Sequence, residues 1–406
     1  MKVAQLTAVA LLAAGLDATS VDHQTRDELA YSEPHYPSPW MDPAAPGWEQ
    51  AYAKAKDFVS QLTLLEKVNL TTGVGWMGDK LPRPLHAGRS LGIRFADYIS
   101  AFPIGITAGA TWSRPLWQDR GYKMGSEAHD KGIDALLGPA AGPIGRAPTG
   151  GRNWEGFSAD PYLLGKAFGN TIEGIQRAGV IATAKHYIAN EQEHFRQVGS
   201  LKAADTTSAK PFPQTLTTRR CTSFTTGLSS MPSSLVLARS CARELGFQGF
   251  VMADWGAQHS GVSSAVAGLD MTMPGDTAFN TGASYWGGNL TLAVLNGTVP
   301  AYRLDDMVMR IMSAYFKVGR TIEGQPEINF SSWTRDTFGY SDAAVNENWE
   351  QVNSHVDVRG DHASHIRESA AKGTVLLKNT GSLPLIKPKL LPSSVKMQAR
   401  TQRVLM

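Results

Sequence analysis

The run Gly246-Phe-Gln-Gly-Phe-Val-Met-Ala-Asp-Trp255 constrains this chain more than any other stretch. Its apolar segment, residues 249–252, is short, opens on a glycine and reads as a buried strand. The strand delivers a carboxylate, Asp254, and an indole, Trp255, to its C-terminal end. In a barrel of parallel strands, active sites sit at that end. An Asp there is a candidate nucleophile, and a Trp beside it is a flat apolar face for a sugar ring. On spacing alone the same Asp suits a helix N-cap equally well.

The rest of the chain repeats the helix-then-strand pattern. Residues 51–62 have helical periodicity, and Thr63-Leu-Leu-Glu66 is a capping box that opens the next helix. A helix over 165–178 stops at Gly179 and runs into an apolar strand, 180–184, which Lys185 and His186 follow at once. A long amphipathic helix covers about 303–318. Strands alternating with helices imply an α/β fold with a parallel sheet, whose closed form is a (β/α)8-type barrel. Residues 320–365 read as a linker, and 373–379 as a strand that begins something new.

Composition sets the class. Of 406 residues, 42% are apolar and 18% charged, so the chain is globular. Residues 1–19 read as a secretory signal peptide, with Lys2 followed by the apolar stretch 6–16, which is too short to span a bilayer. With that signal, the sequons at Asn69, Asn289, Asn296 and Asn329 favour a secreted, extracellular glycoprotein. A net charge of +3 with no basic stripe gives no case for nucleic acid, and no segment makes one for a membrane. His186 and His194 lack the spacing of a zinc helix, no Gly-rich phosphate loop precedes a helix, and neither a metal nor another cofactor is expected.

Polar residues of complementary kinds gather at the strand ends. Asp254 can attack an electrophilic carbon. Lys185 and His186 offer donors in two directions. Arg152, in Gly150-Gly-Arg-Asn-Trp-Glu-Gly-Phe157, offers a forked donor suited to paired hydroxyls. Trp154 is either a stacking platform or a core residue, and Lys185-His186 either site or surface. Asp270 and Asp276 read as loop or cap residues. A carboxylate nucleophile with hydroxyl donors and aromatic faces is what glycosidic-bond cleavage requires.

Three motifs carry a resemblance: Val251-Met-Ala-Asp254-Trp-Gly-Ala257, Lys185-His-Tyr-Ile-Ala-Asn-Glu-Gln-Glu-His-Phe-Arg196 and Gly150-Gly-Arg152-Asn-Trp-Glu-Gly-Phe-Ser158. In them the chain resembles fungal secreted β-glucosidases of glycoside hydrolase family three, from about residue 28 to 390. The resemblance implies a barrel domain over 20–319, a linker over 320–365 and, from 366, the start of a second α/β sandwich domain. It implies release of glucose from the non-reducing end of β-glucosides and cello-oligosaccharides, with retention of configuration. Asp254 falls on the family's nucleophile, Arg152, Lys185 and His186 on its glucose contacts, and Trp255 on its stacking wall. Arg94 matches a pocket position. The alternatives are a β-xylosidase of the same family or a non-catalytic sugar-binding remnant. No oligomeric state is implied.

Three stretches depart from the family, at about 84–90, 215–242 and 391–406. Read one base earlier, residues 217–242 yield DDKTMHELYNWPLIDAVLAGVGSVMC, a helix followed by a strand, and 391–406 yield LAVIGEDAGPNPAGPN. Read one base later, 84–90 yield LCMQDAP. We read all three as translated out of frame. Both cysteines, Cys221 and Cys241, lie in such a stretch, so they make no case for a disulfide. The pocket Asp, the Tyr that supports the nucleophile and the acid/base Glu of the second domain have no counterpart by motif. The expectation is a barrel short of one strand and its helix, with open edges, and a chain that folds poorly and is inactive or weak. Sequencing the spliced transcript across the three stretches checks this: the expected result is codons that encode the shifted peptides.

Overall fold

A computed structural model describes residues 41–73, 87–88, 92–142, 145, 148–186, 223–226, 246–254, 257–258, 260–273, 275, 283–331, 334–340, 349–381 and 383–384. In chain order the elements are α1 (Glu49–Val59), α2 (Leu64–Leu70), β1 (Ala87–Gly88), α3 (Gly105–Ala110), α4 (Arg114–Asp130), β2 (Ala135–Leu136), a 3₁₀ turn (Asn153–Glu155), α5 (Pro161–Arg177) and β3 (Ile181–Ala184). Then come β4 (Ser223–Thr226), β5 (Phe250–Ala253), α6 (Val262–Val266), α7 (Gly288–Leu295), α8 (Ala301–Lys317), β6 (Phe338–Tyr340), β7 (Trp349–Gln351) and α9 (His362–Gly373). The chain forms two compact units, residues 1–373 and 374–406.

The first unit is built on a five-stranded parallel sheet in the order β1-β2-β3-β4-β5. Two parallel bridges carry the pairing past β5, from Met252 to Met271 and from Thr272 to Thr72. The sheet is not closed among the described residues. Every residue of β3 and β5 is buried, which is why both read as unbroken apolar runs. Strand alternation still sorts their side chains. Ile181, Phe250 and Met252 join a core with α1, α7 and α8, whereas Ala182 and Ala184 join a second core with α4 and α5.

The helices follow the sequence closely. The capping box at α2 forms as read: the Glu66 amide donates to the Thr63 hydroxyl, and the Thr63 amide to the Glu66 carboxylate. Helix α5 begins four residues earlier than its apolar pattern, because Asp160 caps it by accepting from the Leu163 amide and Pro161 fits its first turn. Helices α4 and α5 pack backbone to backbone. A Cβ on Gly121 would stand 2.2 Å from the Thr171 carbonyl oxygen, and one on Gly174 2.1 Å from that of Gln118.

Two expectations are corrected. The barrel was read as lacking the strand of 215–242, but Ser223–Thr226 fills the place between β3 and β5, paired in parallel with both. Ladder hydrogen bonds are made by the backbone, and Ser-Phe-Thr-Thr is rich in strand-favouring residues, so this stretch can serve as the strand. Conversely, residues 373–379 are not a strand. Gly373 closes α9, and Val375, Leu376 and Leu377 are exposed. A strand needs a neighbour to satisfy its backbone, and none pairs with this segment among the described residues. Within 320–365 lies a short antiparallel pair, β6 and β7.

Helix α8 is buried almost all round, and its Arg303, Asp306 and Arg310 form a charged network inside the core. Arg303 donates to Asp306 (2.7 Å), to Asp270 (2.8 Å) and to the Ala265 and Leu269 carbonyls. Arg310 donates to Asp306 and to the carbonyls of Phe247 and Gly249, just ahead of β5. Asp270 in turn accepts from the Val251 amide at 2.7 Å. It is therefore a structural loop residue, and burial pushes its carboxyl up to about 6 against the pull of the two arginines.

Because Gly174 meets backbone rather than a side chain, Gly174→Ala cannot be absorbed by a rotamer change. The expected loss is about 1–3 kcal/mol, read from urea unfolding midpoints at constant slope.

Candidate active site

The site lies where β3 and β5 end and where the 3₁₀ turn after Arg152 folds against them. β3 delivers Lys185 and His186 through a cis Lys185-His186 peptide. The loop after β2 runs beside them, the Ala141 amide donating to the Lys185 carbonyl at 2.6 Å. β5 delivers Asp254. Asp254 and His186 come together at 3.2 Å, carboxylate to Nε2.

Glu155 ties the other side chains to this pair. Arg152 donates to it through two parallel bonds, Nε to Oε1 at 2.6 Å and Nη2 to Oε2 at 3.0 Å. The Lys185 ammonium stands 3.5 Å from the same carboxylate. Arg152 also approaches His186 Nε2 at 3.2 Å. Side-chain exposure grades from 1% at His186, through 8% and 9% at Lys185 and Glu155, to 21% at Arg152 and 30% at Asp254. The two groups that would meet a ligand first are thus the forked donor and the carboxylate.

Burial shapes the protonation of the cluster. It lowers the His186 pKa, and the charges of Lys185 and Arg152 lower it further, while Asp254 opposes them. His186 is therefore neutral at neutral pH, and its Nε2 faces both Asp254 and the Arg152 guanidinium at 3.2 Å. Burial pushes Glu155 up, but the Arg152 hydrogen bonds and the charges of Lys185 and Arg152 outweigh it and leave the carboxyl below its ordinary range.

The constellation resolves into one carboxylate, Asp254, held against His186, and a second, Glu155, that gathers Arg152 and Lys185 beside them, at the strand ends of a parallel sheet. Residues 80–314 match the glycosyl hydrolase family 3 N-terminal domain. The chain belongs to glycoside hydrolase family 3. Over 420 aligned residues it is 49% identical to a probable β-glucosidase A of Aspergillus terreus, covering 95% of this chain and 48% of that one. It is 50% identical to beta-glucosidase 1 of Aspergillus aculeatus over similar shares. A Chaetomium thermophilum β-glucosidase superposes with a TM-score of 0.77 at 56% identity, over 89% of this chain and 47% of that one. A family 3 β-glucosidase of Neurospora crassa gives 0.76 at 54% identity, over the same shares. The chain thus spans about half the length of the curated relatives it matches.

Of the residues marked in this family 3 sequence, Arg152, Lys185, His186 and Asp254 converge. Trp255 lies outside the described residues, as do Cys221, Cys241, His194 and Asp276. Arg94 is exposed, with its guanidinium 4.4 Å from the Phe95 ring centroid. Trp154 is exposed rather than core, its indole donating to the Gly151 carbonyl at 2.8 Å. Asn289 and Asn296 lie exposed in and just after α7, and Asn69 and Asn329 are half-buried. Glu155 was quoted in its motif but given no role. The signal that finds it is its place three residues after Arg152, the spacing that brings two side chains to one face of a tight turn. Among the described residues no helix is long and apolar enough to cross a membrane.

The lowered pKa of His186 fixes a sign. Its folded value lies below the unfolded one, so its contribution to stability is complete above the unfolded pKa of about 6.5 and is lost as pH falls through the folded value. His186→Asn is expected to lose less stability than the wild type when pH drops from about 7 to about 5, as read by urea midpoints at both pH values.

Proposed function

We propose that this chain carries the nucleophile side of a retaining β-glucosidase site, in a protein that releases terminal β-D-glucosyl residues from β-glucosides and cello-oligosaccharides. The observation that carries the reading is the Asp254–His186 contact at the end of β5, beside Arg152 and Lys185. A carboxylate oxygen of Asp254 attacks the anomeric carbon, the bond to the leaving oxygen breaks, and water later releases glucose from the covalent ester. Arg152, Lys185 and His186 bind the sugar hydroxyls, with Trp255 as a stacking wall and Arg94 at the pocket edge. Family membership and the β-glucosidase relatives support this over a xylosidase or a non-catalytic remnant. The reading includes a barrel domain over 20–319, a linker over 320–365, a second domain beginning at 366, and a secreted glycoprotein bearing sugar at Asn69, Asn289, Asn296 or Asn329.

Glu155 is not the acid/base. A general acid must hold a proton near the working pH, and Glu155 is kept ionised by two cations. In a retaining enzyme the nucleophile's partner carboxyl stands about 5–5.5 Å away, and the proton it supplies contributes roughly 10²–10⁴ in rate. A leaving group that departs as a stable anion needs no such proton, so the reading is tested at the nucleophile alone. Incubation with a fluorinated glucosyl donor bearing a dinitrophenolate leaving group should add one fluorosugar to the peptide containing Asp254. Asp254→Asn should abolish the adduct. Absence of the adduct in the wild type, with the fold intact by circular dichroism, would sink the reading.

A further inference from the structure

Resting on that reading, we propose that Glu155 is the positioning residue of the site, the fixed counter-charge that orients Arg152 and Lys185 toward the sugar hydroxyls. It touches neither the reacting carbon nor, in any contact described, Asp254.

Two parallel bonds from Nε and Nη2 to one carboxylate fix the plane of the guanidinium, which a single bond would leave free to swing. The Lys185 ammonium, 3.5 Å from the same carboxylate, is drawn to the same place from β3. One acidic side chain therefore sets the positions of donors that come from separate parts of the chain. The cost of ordering those two long side chains is met before any sugar arrives.

Charge adds to this. Arg152 stands 3.2 Å from the His186 nitrogen that contacts Asp254, and Glu155 places one negative charge within 4 Å of both Arg152 and Lys185. Without Glu155, the positive charge of Arg152 and Lys185 acts on this end of the site uncompensated, holds the electrons of Asp254 more tightly and makes it a weaker nucleophile. Burial makes the support rigid. Glu155 is 9% exposed at the side chain, on a 3₁₀ turn that Gly105 approaches so closely that a Cβ there would stand 2.0 Å from the Glu155 carbonyl oxygen. A carboxylate held this way is a rigid support rather than a mobile surface charge.

The test uses the whole chain with two variants. Glu155→Gln keeps the shape and one acceptor but removes the charge. Glu155→Asp keeps the charge but shortens the reach. Glucose affinity by calorimetry and the pH profile of fluorosugar labelling at Asp254 are measured on each, with unfolding midpoints to confirm the fold. Glu155→Gln should weaken glucose binding roughly ten- to a hundredfold, as expected for losing hydrogen bonds to charged groups. Its acid limb of labelling should move to lower pH, because the unbalanced cations favour ionised Asp254. Glu155→Asp should restore the position of that limb while binding glucose poorly. A role confined to folding would lower the rate at every pH and leave the limb in place, which would overturn the proposal. So would a Glu155→Gln protein that binds and labels like the wild type. Failure of the wild type itself to label Asp254 would instead bring down the hydrolase reading, and this inference with it.

Discussion

The buried network of Arg303, Arg310, Asp306 and Asp270 is the interaction on which the placement of β5 depends. It lies at the opposite end of β5 from Asp254. Arg310 holds the carbonyls of Phe247 and Gly249 as the chain enters the strand, and Asp270 accepts the Val251 amide within it. The strand is thereby fixed in height and rotation against α8 before it presents its carboxylate. Such a network is costly to bury and gains little net stability over an apolar packing, yet removing one partner typically costs about 3–5 kcal/mol because a charge is left stranded. Its value here is positional: the four groups pair with one another, leaving only the Arg310 Nη2 of the network without a partner among the described residues, and through backbone carbonyls and an amide they set where β5 sits.

On the other face of the sheet, position comes from closeness rather than charge. Gly121 and Gly174 let α4 and α5 touch backbone to backbone, and Phe168, Ile172 and Ile175 fill the space between α5 and the strands. β3, which carries Lys185 and His186, leans on this layer. Helix α9 is fastened to the outside of α4 by His362, which contacts Glu127 at 2.7 Å, and Glu127 also accepts from the Ser100 amide. Charge on one face and steric intimacy on the other thus locate the two strand ends that must meet.

Much of this was legible in the sequence. The capping box, the apolar stripes of α1, α5 and α8 and the unbroken runs of β3 and β5 are local patterns, and local patterns survive into the fold. Asp254, Lys185, His186 and Arg152 were legible because each follows a strand or a glycine turn within a long motif. Glu155 was not singled out, because its meaning lies in what it touches: Lys185 is thirty residues away in sequence and reaches it only through the sheet. β4 was misjudged for a different reason. Residue patterns say which side chains suit a strand, but a gap between two strands is filled by whatever backbone can reach it. The strand expected at 373–379 failed on the same ground in reverse, having the pattern but no neighbour.

The balance of charge in the site has a consequence for how a ligand arrives. Arg152 and Lys185 are formally matched by Glu155 and Asp254, and His186 is neutral. Taken by themselves these four described charges sum to zero, so the cluster has no net charge of its own with which to steer ions from a distance. An uncharged ligand would meet such a cluster by diffusion, largely indifferent to ionic strength, and feel its strong local fields only on contact. Discrimination among such ligands would then rest on matching polar groups at close range and not on attraction at a distance.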